Sequence, residues 1–341
     1  MASRATPEAI RSIMRRSHHE SSDKLNILTF CTHERYEQQL CQTGHNFYSI
    51  NHGKQWDKDY GDIPHNYYPI DGMVPPYVDI DLILCQTPCE RLQISKNIQN
   101  DLNVPLMLHT HTLPDIRGDV SVQIKQFQQA SLGVDQKSFI SDFSRRAWGC
   151  ESSAEYIEHG IDCDFWVNSE ERLRDNICLS VVNDWPNRDW CCGFELWKQT
   201  VGIETENQLP VRVLGKSPGL SVPANSIEHL REIYHSSRIF YNTSLHSPVP
   251  TVLMEAMACG CAVVSTSTCM IPEIIEHGKN GMISNDPAQL REFLLTLLAD
   301  EDMAKELGAN AQRTILEKYA LPFFVENWNN LFHSTIRNYK E

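Results

Sequence analysis

Short apolar runs alternate along this chain with longer segments in which apolar residues recur three or four positions apart. Runs of the first kind predict buried strands, and segments of the second kind predict helices. Strands that alternate with helices favour parallel pairing and an α/β domain. In the first half, the predicted strands are 25–30, 47–50, 80–84, 106–108 and 138–140, with a helix over 90–102.

The second half repeats the pattern after a polar stretch at 168–176, which predicts a domain boundary near 170. We expect a polar tail (1–24), a first α/β domain (25–170), a second α/β domain (171–320) and a closing helix (321–341). The predicted strands of the second domain are 177–182, 211–214, 238–241 and 262–265, and the predicted helices are 194–200, 226–236, 248–259 and 287–299.

Composition narrows the classes of function. A chain of 341 residues is long enough for two cores, and its net charge of −14 argues against a nucleic-acid-binding surface. The twelve cysteines show no zinc-site spacing, so we expect reduced, buried thiols, no metal and a cytoplasmic protein. Arginines in the tail (Arg4, Arg11) permit a weak contact with an anionic membrane, although a frayed tail or a surface helix fits the few apolar residues better.

The most informative segment runs from 244 to 260. Ser247 suits an N-cap, Pro248 suits the first helical turn and Gly260 suits a helix stop. The helix between them is apolar on every side, which predicts burial. Glu255 stands within it, and a buried, unpaired carboxylate would cost several kcal/mol, so this side chain needs a partner.

A nucleotide would supply that partner. Thr251 lies one turn before Glu255 on the same helix face, and a carboxylate there can accept hydrogen bonds from both hydroxyls of a ribose. Free amides at the helix start can receive a phosphate. We therefore expect Ser247, Thr251, Val252 and Glu255 to bind the ligand. The alternative is that Glu255 caps a neighbouring loop or pairs with an arginine.

The segment 244–260, followed by Ala-Val-Val-Ser-Thr, Ile-Pro-Glu-Ile-Ile and Gly-Lys-Asn-Gly, resembles the donor-binding signature of retaining GT-B glycosyltransferases of family 4. The resemblance is strongest over 238–318. It implies two Rossmann-like domains facing a cleft and a nucleoside diphosphate sugar as donor, with no other cofactor. It also implies transfer with retention to a carbohydrate, lipid or protein hydroxyl, with Glu255 holding the ribose.

Two departures from that family bear on activity. The family commonly has a second Glu eight positions before the ribose Glu, where this chain has Ser247, and a Lys where this chain has Cys192. Arg188 is the best local cation for the diphosphate, with Lys216 in reserve. These departures leave open a second hypothesis, a module that binds a nucleotide-sugar without transferring it.

In the first domain, a predicted strand ends at His109-Thr-His111. In the family that the chain resembles, a His of the matching loop bonds a hydroxyl of the donor sugar, and His111 aligns with it better than His109 does. A purely structural histidine is the alternative. Two Asp-x-Asp pairs, Asp79 with Asp81 and Asp162 with Asp164, could indicate a metal site, but the first pair opens a strand, at the wrong end for one. A dehydrogenase would need a Gly-x-Gly-x-x-Gly turn, which this sequence lacks.

Overall fold

The computed structural model describes residues 24–30, 32–50, 56–57, 61–70, 78–88, 90–152, 154–167 and 173–340. It contains two compact units. The first holds the described residues up to Ile140, Arg145–Ile157 and the residues from Phe324 onward, and the second holds Ser141–Ser144 and Glu158–Phe323. Most of the predicted tail (1–23) and part of the predicted boundary (168–172) lie outside the described residues.

The first unit is built on a parallel seven-stranded sheet with the order β3-β2-β1-β4-β5-β6-β7. Because the strand order reverses between β1 and β4, the carboxyl ends of these two strands form a switch point, where α/β sheets bind ligands. The strands are β1 (Asn26–Thr29), β2 (Asn46–Ile50), β3 (Tyr67–Ile70), β4 (Leu82–Cys85), β5 (Leu106–Thr110), β6 (Gln136–Phe139) and β7 (Glu155–Tyr156). The helices in this part of the chain are α1 (Glu34–Cys41), α2 (Glu90–Leu102), α3 (Val120–Ala130) and α4 (Asp142–Ala147).

The second unit is built on a parallel five-stranded sheet with the order β12-β11-β10-β8-β9. Its switch point lies between β8 and β10. The strands are β8 (Asp175–Val181), β9 (Val211–Leu214), β10 (Ser237–Asn242), β11 (Ala262–Ser265) and β12 (Met282–Ile283). The helices are α5 (Cys163–Trp166), α6 (Asp189–Cys192), α7 (Phe194–Val201), α8 (Ile227–Ser236), α9 (Thr251–Ala258), α10 (Ile271–Ile274), α11 (Pro287–Ala299) and α12 (Glu301–Thr314), with a 3₁₀ turn at Pro186–Arg188 and a π-helical turn at Ile315–Tyr319.

The last helix, α13 (Leu321–Lys340), returns from the second unit to the first. Its apolar stripe is buried at Phe324, Trp328 and Phe332. The Trp328 ring lies 4.9 Å from the ring of His109, and the Phe332 ring lies 5.7 Å from that of His45. The stripe therefore completes the core of the first unit. Within the described residues, no helix combines the length and apolarity that crossing a bilayer requires.

The predicted helix at 248–259 begins later than expected. Its first residue is Thr251 and its N-cap is Pro250, so the assignments of Ser247 as N-cap and Pro248 as first turn were wrong. The reason is that a residue before a proline is pushed out of the helical region. Pro250 disfavours a helical conformation at Val249, so a helix that runs through Val249 is disfavoured. The prediction that this helix is buried is confirmed, since 253–258 are at most 2% exposed.

Candidate functional site

The carboxyl ends of β8 and β9 carry the two candidate cations. Arg188 ends the 3₁₀ turn after β8, Lys216 follows β9, and both side chains are exposed. Asn183 links their loops, because its Oδ1 accepts from the Lys216 amide at 2.8 Å and its carbonyl oxygen lies 3.4 Å from Nη1 of Arg188. The fold thus brings the two loops that carry these cations, 28 positions apart in the sequence, into contact with the same residue.

The segment between β10 and α9 is tied to this same edge. The carbonyl oxygen of Cys191 accepts hydrogen bonds from the amides of Leu245 and His246, at 2.8 and 3.1 Å. On the other side, the carbonyl oxygen of Ser244 accepts from the hydroxyls of Thr266 and Thr268. These bonds hold the chain that enters α9 against the β8 and β11 loops.

The N-terminus of α9 presents unused donors. The Leu253 amide bonds back to the carbonyl oxygen of Pro250 at 2.9 Å, whereas the amides of Thr251 and Val252 meet no acceptor among the described residues. Pro250 offers no side-chain cap. Such a helix start favours an anion, through both the free N–H groups and the helix dipole. Ser247 lies in the preceding loop, half-buried and outside the helix.

Glu255 lies one turn into α9 and is 2% exposed. The hydroxyl of Tyr234, on α8, approaches its Oε2 at 3.4 Å. Thr251 stands one turn earlier on the same face and is half-buried, so the face runs from the helix start to the carboxylate. A ligand with a phosphate and a neighbouring pair of hydroxyls would lie along this face, with the phosphate at the helix start and the hydroxyls at Glu255.

Gly193 and Cys192 fix the loop that bears Arg188. Gly193 has φ of 64°, and a Cβ there would lie 2.2 Å from the carbonyl oxygen of Thr243. The Cys192 carbonyl oxygen accepts from the indole of Trp185 and from the Thr243 hydroxyl, both at 2.9 Å. Burial raises the pKa of the Cys192 thiol to about 12, so this side chain is neutral and supplies no charge for a phosphate.

The two histidines of the first unit differ in setting. His109 is fully buried, with the Tyr36 hydroxyl at 2.9 Å from Nε2 and the Ser138 hydroxyl at 2.9 Å from Nδ1. His111 is half-buried just beyond the carboxyl end of β5, and its Nε2 lies 2.9 Å from Oε1 of Gln86. His109 is thus a core residue, whereas His111 lies half-buried at the carboxyl edge of the sheet.

Sequence reasoning missed Gln86 and Glu37. Gln86 directly follows β4, and a polar residue at the carboxyl end of a buried strand was the signal that could have found it. Glu37 lies on α1 and is 0% exposed. Burial raises its pKa to about 7, and the charge of Glu34 adds to the increase. No pattern in the polar stretch around Glu37 distinguishes it from a solvent-exposed residue.

Three of the four residues in the Asp-x-Asp pairs make contacts elsewhere. Asp81 accepts a hydrogen bond from the Asn26 amide at 2.8 Å, and the Asp79 carbonyl oxygen accepts from the Asn26 side chain at 2.9 Å. Both contacts lie at the start of β1, at the amino edge of the sheet. Asp162 caps α5 by accepting from the Phe165 amide.

Comparison with known proteins places this geometry in context. Residues 199–300 match the family model described as Glycosyl transferases group 1. The chain is 30% identical over 120 residues to alpha-maltose-1-phosphate synthase of Mycolicibacterium smegmatis, a match that covers 33% of this chain and 29% of that protein. It is 30% identical over 91 residues to N-acetyl-alpha-D-glucosaminyl L-malate synthase of Bacillus anthracis, covering 26% of this chain and 24% of that protein. The chain thus matches less than a third of the length of either relative.

Solved structures resemble the whole fold. Sucrose-phosphate synthase from Thermosynechococcus elongatus superposes with a TM-score of 0.73 at 13% identity, covering 92% of this chain and 100% of that one. HepE of Anabaena in complex with UDP superposes with a TM-score of 0.72 at 14% identity, covering 91% and 100%. The predicted fold, two parallel-sheet α/β domains of the GT-B type, is confirmed.

Proposed function

We propose that this protein is a glycosyltransferase that moves a sugar from a nucleoside diphosphate sugar to an acceptor hydroxyl with retention of configuration. One observation carries the proposal. The buried carboxylate of Glu255 lies one turn inside a helix whose first amides, at Thr251 and Val252, meet no acceptor within the described part of the chain. That combination suits a ribose diol followed by a phosphate.

The donor nucleotide would use the carboxyl edge of the second sheet. The amides of Thr251 and Val252 would take the diphosphate, with Arg188 and Lys216 neutralising its charge without a divalent metal. Glu255 would accept hydrogen bonds from both ribose hydroxyls. Charge that develops on the leaving diphosphate would meet donors already in place, which is the condition for transition-state stabilisation.

The transfer step would break the bond between the anomeric carbon and the diphosphate oxygen and form a bond from that carbon to the acceptor oxygen on the same face. The acceptor proton would pass to the leaving phosphate. His111 would orient the sugar by a hydrogen bond to one of its hydroxyls. Retention and this proton route rest on the resemblance to family 4, and the HepE complexes with UDP and UDP-glucose support a nucleotide-sugar donor.

Two observations favour a second candidate, a module that binds a nucleotide-sugar without turnover. Ser247 replaces the Glu that the family places near the transferred sugar, and it lies in a loop before α9. Cys192 replaces the family's Lys, and its buried thiol carries no positive charge.

A turnover assay separates the two candidates. The full chain is incubated with UDP-, GDP- and ADP-sugars, with and without mixtures of carbohydrate, lipid and peptide acceptors, and the released nucleoside diphosphate is measured. Transfer or hydrolysis that survives EDTA and is lost in Glu255→Gln supports the transferase, and the anomeric signal of the product in NMR reports retention. Tight donor binding without release in any mixture supports the module and contradicts the transferase.

A further inference from the structure

The side-chain amide of Gln86 has its whole hydrogen-bonding capacity occupied. The residue is 1% exposed. Its Nε2 donates to Oε1 of Glu37 at 2.8 Å and to Oγ1 of Thr29 at 3.0 Å. Its Oε1 meets Nε2 of His111 at 2.9 Å and the Thr32 hydroxyl at 3.2 Å. A primary amide has two N–H donors and two lone pairs, so these four contacts fill it.

Glu37 fixes the orientation of the Gln86 side-chain amide. Its Oε1 accepts from Gln86 and also from the Thr32 amide at 3.3 Å. A flipped amide would set its oxygen against a carboxylate oxygen, and two buried acceptors in contact are costly. Oε1 of Glu37 already accepts from two N–H donors, so a proton taken up by this carboxyl resides on Oε2, which meets no partner among the described residues. The amide nitrogen therefore faces Glu37 and the amide oxygen faces His111.

The orientation of Gln86 sets the tautomer of His111. An amide oxygen only accepts hydrogen bonds, so the hydrogen of this contact belongs to Nε2 of His111. A neutral imidazole carries one N–H, and Nδ1 is then the acceptor. The ring is also bounded by Tyr36 and His109, whose rings stand edge-on at 4.5 and 4.6 Å.

We propose that Gln86, oriented by Glu37, is a positioning residue that fixes His111 in the Nε2–H tautomer and so makes Nδ1 the acceptor nitrogen of the ring. The inference deepens the proposed function and rests on it, because there His111 orients the sugar. A sugar hydroxyl that meets Nδ1 is held as a donor. The tautomer is a property of the free protein and can be observed without a ligand.

The test is nitrogen NMR of the free full chain, with ¹⁵N-labelled histidine and two-bond correlations between ring nitrogens and carbon-bound protons. The signals of His111 are identified by their absence in His111→Gln. The wild type should show a protonated Nε2 and an unprotonated Nδ1. Gln86→Met removes the fixed acceptor and should give a mixture of tautomers. Thr32→Val is the control: it removes the hydroxyl that lies 3.2 Å from the amide oxygen and 3.5 Å from Oε1 of Glu37, and it keeps the contacts of Gln86 with Glu37 and His111.

Glu37→Met provides a second route, since it frees the amide without changing residue 86 or residue 111. Folding of each variant is checked by circular dichroism, and the tautomer of any folded variant decides. A mixture in Glu37→Met or Gln86→Met supports the inference. A protonated Nδ1 in the wild type overturns it, as does an unchanged Nε2–H pattern in both folded variants. Failure of the donor site appears separately, as lost nucleotide binding in the second unit.

Discussion

The hydroxyl of Tyr234 approaches the carboxylate of Glu255 at 3.4 Å, from one helix to the next, inside the core of the second unit. Both side chains are buried, at 0% and 2% exposure. This contact gives the acidic group a donor of hydrogen bonds rather than a bare apolar surrounding, which lowers the cost of burying it. It also holds the carboxylate on the helix face that begins at Thr251.

Tyr234→Phe should cost about 1 kcal/mol of the free energy of unfolding, because it removes one buried hydrogen bond and keeps the ring. It should also weaken UDP binding, since the carboxylate loses a group that orients it. Tyr241→Phe is the control: Tyr241 is equally buried and bonds the Thr200 hydroxyl at 2.7 Å. Denaturant titration and calorimetry measure the two effects. Equal loss of UDP affinity in both variants would contradict a special role for Tyr234.

Arg188→Ala should weaken UDP binding about tenfold and reduce its dependence on salt, because an exposed guanidinium supplies a charge-assisted bond to the diphosphate. Lys216→Ala should have a smaller effect in the same direction. Lys279→Ala is the control, since Lys279 is exposed, pairs with Glu276 at 2.8 Å and precedes β12 at the amino edge of the sheet. If the Lys279 variant loses as much affinity as the other two, local charge at the carboxyl edge is not the cause.

Gly193→Ala should destabilise the second unit by about 3 kcal/mol, since the new Cβ would overlap the carbonyl oxygen of Thr243 and the residue has a positive φ. Gly219 also has a positive φ (79°), but nothing lies within 4 Å of its Cβ position. Gly219→Ala should therefore cost about 1 kcal/mol. Urea unfolding of both variants measures the two losses of stability. Similar losses would show that the close approach to Thr243 does not contribute to the destabilisation.

Stability of the first unit should depend on the protonation of Glu37. Burial raises its pKa from an ordinary 4.5 to about 7, so the folded chain binds this proton more tightly than the unfolded chain does. The stabilisation that the bound proton gives the folded chain is therefore present at low pH and is lost as pH rises from about 4.5 to about 7. Relative to wild type, Glu37→Gln should gain about 3 kcal/mol between roughly pH 4 and pH 8. Urea unfolding at the two pH values measures this gain, and a difference that does not change with pH would contradict the raised pKa.

Much of the fold could be predicted because parallel strands are buried on both faces and form apolar runs. The runs at 211–214 and 262–265 coincide with β9 and β11. The pattern failed at β3, β7 and β12. Strand β3 carries a proline at Pro69 and exposes two of its four residues, whereas β7 and β12 are two residues long. Such short or half-exposed strands depend on the neighbour that they pair with, which one sequence does not show.

The residues of the candidate site that lie on a single helix could be predicted from the sequence. The residues that meet from several elements could not. Glu255 stood out because its own helix is apolar, and Thr251 followed from helical spacing. The helix start was misplaced, because the effect of Pro250 on Val249 outweighed the capping tendency of Ser247. Gln86 and Glu37 meet across 49 positions of sequence, so their contact is a product of the fold alone.

Binding of UDP to the full chain is the decisive measurement for the role of Glu255. Isothermal titration with UDP, GDP and ADP is run on the wild type, on Glu255→Gln, and on Glu292→Gln, which changes an exposed carboxylate on α11. We predict that the wild type and the Glu292 variant bind one nucleoside diphosphate alike and that Glu255→Gln, still folded, binds it at least about tenfold more weakly. Unchanged affinity in the folded Glu255 variant, or no binding of any nucleoside diphosphate to the wild type, would contradict this prediction.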